Sequence, residues 1–245
     1  MVKKRLIFNL YYFKGSFYLS RNFTLQRVGD VDWLIDKFKF KKIGDIIDEL
    51  VIFNVDRNRP SIFDDKFYSD MEKLLQSVFV PLAIGGGVSS ELEIDKCFRF
   101  GCDKLVFSSA FIYDINLLEY TRNRYGNQAL VINVDYKIEN GTRNVYLNNG
   151  STKYLSLEDY LIKINSFVPG ELILNCMSLD GTGFGFDSGI LEFIKDFNLP
   201  IIIAGGAGKP EHFYQIMNHP KISAGATGNL FNFLGNGFFK VREYL

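Results

Sequence analysis

Eight short runs of β-branched, leucine and phenylalanine residues recur along the chain, separated by longer stretches of helical period. The runs are "RLIFNLY" (5–11), "ELVIFNV" (49–55), "VPLAIGG" (80–86) and "KLVFSS" (104–109) in the first half. "ALVINVD" (129–135), "ELILNCM" (171–177), "PIIIAGG" (200–206) and "ISAGATG" (222–228) follow in the second. Amphipathic stretches such as "DVDWLIDKFKFKKIG", "DDKFYSDMEKLLQSV", "DINLLEYTRNRY", "SLEDYLIKINSF", "SGILEFIKDF" and "EHFYQIMNH" lie between them. Strand and helix alternating eight times predicts an α/β fold, a (β/α)8 barrel, with a doubly wound open sheet as the alternative. Two Asn-Gly pairs around alternating residues in "KIENGTRNVYLNNGST" (137–152) predict a hairpin inserted after the fifth strand.

The chain also repeats itself. "LAIGGGV" (82–88) is echoed by "IIAGGAG" (202–208), "DELVIF" (48–53) by "GELILN" (170–175), and "FNLYYFKG" (8–15) by "INVDYKIE" (132–139). The offsets are all roughly 120 residues, half the chain, which is the pattern of two fused half-barrels. One domain over 1–245 is expected, with halves at about 1–124 and 125–245. The repeat pairs Tyr11 with Asp135.

Composition narrows the function classes. Lys+Arg and Asp+Glu are 28 each, so no net field favours nucleic acid or an anionic membrane. Three cysteines in no metal-like spacing point to a reducing compartment without a disulfide frame. There is no run of about 18 apolar residues, and "MVKKR" leads into a strand too short for a signal-peptide core. A cytoplasmic protein is expected.

The chemistry-bearing residues sit at strand ends. Gly85-Gly86-Gly87 and Gly205-Gly206-Ala207-Gly208 each follow a strand directly, where glycine lets backbone N–H groups turn toward an anion. "SSA" (108–110), "LDGTGFG" (179–185) and "TGN" (227–229) end the fourth, sixth and eighth strands and complete two candidate phosphate cradles. Taken singly, each glycine run reads equally well as a tight turn. Asp135 ends the fifth strand, where a carboxylate serves as general acid or base, or as a cap or salt-bridge partner. Asp180 is a second rim carboxylate or a turn residue. Arg5, Glu49, Lys104 and Glu171 each precede a strand; by pattern alone they read as solvated charges or as a ring of ion pairs. His212 and His219 read as surface or capping residues. No metal site is expected.

Over nearly its whole length the chain resembles HisF, the cyclase subunit of imidazole glycerol phosphate synthase. The resemblance is carried by "DELVIFNVD", "VPLAIGGGV", "FGCDKLVFSSA", "GNQALVINVDYK", "GELILNCMSLDGTGFGFD" and "LPIIIAGGAGKPEHF". It implies a barrel that pairs with HisH, a glutaminase. Ammonia then passes through the barrel core to a cyclase site, where the substrate carries a phosphate at each end and two aspartates act as acid and base. One of those aspartates falls on Asp135, the other on Tyr11. The lysine of the following loop falls on Leu19, and substrate-side aspartates fall on Asn54 and Ser178. The phosphate positions fall on Gly86, Gly87, Ser108, Ser109, Gly181, Thr182, Gly206, Gly228 and Asn229. The charged ring at the ammonia entrance falls on Arg5, Glu49, Lys104 and Glu171, and Asp103 falls on a position that meets the glutaminase.

What the resemblance implies is therefore split: the ammonia entrance is matched, and half of the cyclase chemistry is not. The expectation is a glutaminase-binding, ammonia-conducting subunit without a cofactor and without efficient cyclase activity. Related pairs outside histidine synthesis supply nitrogen to amidated sugars of bacterial surface glycans, which implies a third, ATP-dependent amidotransferase as recipient. A divergent working cyclase, and a scaffold that only activates the glutaminase, are the alternatives.

Overall fold

The computed structural model describes residues 3–37, 40–58, 64–228 and 237–245. Its strands are β1 (Arg5–Phe13), β2 (Ser16–Arg21), β3 (Thr24–Gly29), β4 (Glu49–Asn54), β5 (Leu82–Gly85) and β6 (Lys104–Phe107). They continue as β7 (Leu130–Glu139), β8 (Thr142–Leu147), β9 (Thr152–Ser156), β10 (Glu171–Cys176), β11 (Ile201–Ala204) and β12 (Ile222–Thr227). The helices are α1 (Val31–Lys37), α2 (Phe40–Gly44), α3 (Asp65–Leu75), α4 (Glu91–Phe100) and α5 (Ala110–Tyr113). After them come α6 (Ile115–Tyr125), α7 (Leu157–Phe167), α8 (Pro210–Met217) and α9 (Gly237–Arg242).

Eight of the strands pair in parallel in the order β1, β4, β5, β6, β7, β10, β11, β12, and β12 returns to β1. The sheet is closed, so the chain is a (β/α)8 barrel and the open-sheet alternative is excluded. Side chains alternate along each strand between the barrel interior and the helical shell. Ile7, Val51, Ala83, Val106, Val131, Ile173, Ile202 and Ala224 form an apolar layer inside the barrel. The larger outer cluster, including Phe8, Leu10, Tyr12, Leu50, Ile52 and Phe67, packs the strands against the helices.

Local chemistry sets the helix ends. The Asp64 carboxylate accepts from Phe67 N at 2.8 Å and starts α3, and the Ser90 hydroxyl accepts from Glu93 N to start α4. Gly101, with φ +109°, ends α4 in the left-handed region. The expected helix over "SGILEFIKDF" is absent. Asp187 to Phe197 winds instead through bonds from Ile190 N to Asp187 O, Phe193 N to Ile190 O and Phe197 N to Ile194 O, each spanning three residues. Gly189 disfavours a regular helix there, and the Arg143 guanidinium packs where a Cβ on it would stand. The same buried residues, Ile190, Ile194 and Phe197, produce the helix-like period.

Two barrel strands run on past the rim into antiparallel ribbons. β7 continues unbroken into β8 through Asn140-Gly141, both at positive φ, so the hairpin expected over 137–152 extends strand five and adds β9. β1 does the same through Lys14-Gly15 into β2 and β3, a ribbon over 16–29 where the sequence pattern placed no strand. No helix among the described residues is long and apolar enough to cross a membrane.

Candidate functional site

A cavity of about 610 Å³ opens at the C-terminal ends of the barrel strands, the face where barrels of this type place their chemistry. Its floor is polar. Asn9 from β1, Asn133 and Asp135 from β7, and Asn175 from β10 sit just above the apolar layer. Asn175 Nδ2 donates to Asp135 Oδ1 at 2.8 Å. Asn9 is only 8% exposed, and its Oδ1 has no hydrogen-bond partner.

Burial pushes the Asp135 carboxyl above its ordinary pKa, while the Asn175 and Asn133 amides pull it back. A folded value above the unfolded one means that the charge costs stability once the pH exceeds both. Asp135→Asn is therefore expected to raise Tm at pH 7, with the gain shrinking as the pH falls through the raised value toward 3.8. A calorimetric pH series checks this, and a lower Tm at pH 7 contradicts it.

Tyr11 and Tyr12, adjacent in sequence, face opposite ways. Tyr12 points outward, and its hydroxyl donates to Asp70 at 2.7 Å. Tyr11 points inward and stacks on Phe53, with ring centroids 5.8 Å apart and planes 24° from parallel. Burial, then the Asp180 and Asp135 charges, hold its phenol well above pKa 10. Such a phenol is a weaker proton donor than free tyrosine.

The candidate glycine and serine residues divide into two groups. Gly86, Gly87, Ser108 and Ser109 line the main cavity. At Gly86, φ is +112° and a Cβ would stand 2.0 Å from Asn54 O, so only glycine lets these strand ends approach so closely. Gly181, Gly206 and Gly228 line a smaller neighbouring cleft together with Asp180, Gly205 and Thr227. The Thr182 hydroxyl donates to Leu179 O at 2.8 Å, so it closes its own turn. Asn229 lies outside the described residues.

The remaining rim positions serve the ribbons. Asp180 Oδ2 accepts from Ser20 Oγ at 2.5 Å and from Phe23 N at 3.0 Å, tying the β2–β3 ribbon to the loop after β10. Ser178 Oγ accepts from Ile138 N at 2.9 Å and holds the extension of β7. Leu19 is buried within β2. Asn54 is buried, and its Oδ1 accepts from Asp56 N. Asp187 receives Arg143 through two bonds, at 2.7 and 2.6 Å, and the Tyr136 hydroxyl at 3.0 Å. His212 is a cap, its Nδ1 accepting from Gly208 N. Among the described residues no cluster of His, Cys, Asp and Glu is suited to a metal ion.

Sequence reasoning missed Arg57, among the described residues the one cationic side chain lining the main cavity. It reaches Asn149 Oδ1 at 2.5 Å, and its charge is felt at Asp135. An isolated arginine in "NVDRNRP" carries no local signal of that placement.

At the opposite end of the barrel, the four strand-start charges close a ring. Arg5 pairs with Glu49 at 2.8 Å and with Glu171 at 2.7 Å; Lys104 pairs with the same two at 2.8 and 2.9 Å. The Glu49 side chain is only 3% exposed, and burial keeps its pKa raised despite both cations. Asp103 is exposed on this face and accepts from Leu82 N at 2.8 Å.

A closed eight-stranded α/β barrel with a polar cavity at its C-terminal rim has the architecture in which barrel enzymes place their active sites at that face. The model of the family described as "Histidine biosynthesis protein" matches residues 47–234. "Putative imidazole glycerol phosphate synthase subunit hisF2" of Parasynechococcus marenigrum (strain WH8102) is 35% identical over 245 residues, covering 99% of this chain and 90% of that protein. "Imidazole glycerol phosphate synthase subunit HisF" of Chlorobium phaeobacteroides (strain BS1) is 30% identical over 248 residues, covering 100% and 96%. The same-named subunit of Chlorobaculum tepidum is 29% identical at equal coverage. The chain belongs to the HisF family of histidine biosynthesis proteins.

Proposed function

We propose that this HisF-family chain is the barrel subunit of a glutamine-dependent amidotransferase complex, that it conducts ammonia, and that it is not an efficient histidine-pathway cyclase. One contrast carries the reading: a complete ring of ion pairs at the bottom of the barrel, and Tyr11 where the family's cyclase acid belongs. The ring sits at the mouth of the apolar layer that separates it from Asp135. That layer favours neutral ammonia over ammonium, because an ion pays a large desolvation cost there. A glutaminase docked on the ring face would deliver ammonia into this column, and Asp135 with Asn133 and Asn175 would receive it at the cavity floor. Phe79, 91% exposed in the loop that enters β5 from the same face, adds an apolar contact for such a partner. The final acceptor, in this proposal, is reached through an ATP-dependent amidotransferase.

The test combines the chain with a HisH-type glutaminase. Glutamine hydrolysis is expected to rise on mixing, and Lys104→Ala or Arg5→Ala is expected to change turnover in the complex several-fold, while the family's cyclase substrate stays unconverted. Indifference of both variants would point to a scaffold, and imidazole glycerol phosphate formed at ordinary enzyme rates would make the chain a cyclase.

A further inference from the structure

The residues that line both the main cavity and the smaller cleft are Asn9, Tyr11, Ser20, Asn175 and Ala204, so they form the partition between them. Tyr11 is the largest of these and is braced by Phe53. The partition leaves Gly86, Gly87, Ser108 and Ser109 on one side and Gly181, Gly206 and Gly228 on the other. The main cavity holds about 610 Å³, whereas the cleft holds about 30 Å³, room for a water molecule or two.

On the cavity side the chemistry is specific. Arg57 and the two serine hydroxyls suit an anionic group. The stacked Tyr11–Phe53 wall suits a flat ring.

We propose that the main cavity binds a ligand with one phosphate and a flat ring, and that Tyr11 excludes ligands with a phosphate at each end. This deepens the reading above, in which the two-phosphate cyclase substrate is not turned over, and rests on it for that substrate's shape.

A matched pair of probes tests it by isothermal titration of the whole chain. Aminoimidazole carboxamide ribonucleotide has the ring and one phosphate; the ribulosyl aminoimidazole carboxamide nucleotide of the family's cyclase reaction has the same ring and two. The first is expected to bind one to one and at least tenfold more tightly than the second. Tyr11→Gly should open the partition and raise the two-phosphate affinity at least tenfold, whereas Tyr11→Phe should behave as wild type. Equal or tighter binding of the two-phosphate nucleotide to wild type, or no binding of the one-phosphate nucleotide, overturns the proposal without any variant having to fold. Tight two-phosphate binding without turnover refutes this inference alone; tight binding with turnover refutes the non-cyclase reading as well.

Discussion

Glu49→Ala is expected to destabilise the barrel by about 3 kcal/mol, the lower end of the range for removing one partner of a buried ion pair. Arg5 and Lys104 both bond the same oxygen of Glu49, so the substitution leaves two largely buried cations sharing Glu171. Glu171 and the partial exposure of both cations keep the effect from the upper end. For a chain of this size the loss corresponds to roughly 6–12 °C in Tm. Burial, with the Glu171 charge nearby, outweighs the two adjacent cations and leaves the Glu49 pKa raised, so ionising this one residue does not add to stability. Its pH signature follows: the folded carboxyl holds its proton longer than the unfolded one, so this residue's contribution falls as the pH rises from 4.5 through the raised value and is flat above it. Replacing all four ring residues with leucine or methionine should recover the stability lost in Glu49→Ala. A quadruple variant less stable than Glu49→Ala would show that the ring stabilises the fold in its own right.

Aspartate at position 11 is expected to produce the second large effect. One positioned general acid is worth about 10²–10⁴ in rate. Tyr11→Asp should raise imidazole glycerol phosphate formation at least about 10²-fold above the wild-type trace, toward the low end because Leu19, Asn54 and Ser178 remain. Measuring the product formed from the cyclase substrate with external ammonium checks this independently of any glutaminase. An unchanged rate would mean that the missing acid is not the limiting defect.

The eight barrel strands were legible because both faces of a parallel strand are buried, so each reads as one apolar run. The same double burial hid the cavity floor. Asn9, Asn133 and Asn175 are single polar letters inside "LIFNLYY", "LVINV" and "LILNCM", and nothing local shows that three such asparagines line one cavity. The Asn140-Gly141 turn announced its hairpin through residue types that accept positive φ, whereas Lys14-Gly15 and Asn22-Phe23 make comparable turns with less telling residues. The ring charges carried no local signal of pairing. A charge before a strand looks the same whether solvated or paired, and only the family resemblance decided for the ring. The segment after β10 misled for the opposite reason, since a three-residue winding buries Ile190, Ile194 and Phe197 at almost helical spacing.

The ring draws its members from four barrel strands whose positions span most of the chain, with Arg5 bonded to a residue 166 positions away. No half of the barrel can assemble it, and a sheet left open between β12 and β1 would part Arg5 from Glu171 while β1 kept its pairing with β4 and Glu49. The ring is thus a checksum on completed folding. A subunit that docks only on four neutralised, correctly spaced charges would pass over unfinished or nicked barrels, and assembly itself would sort mature chains from immature ones.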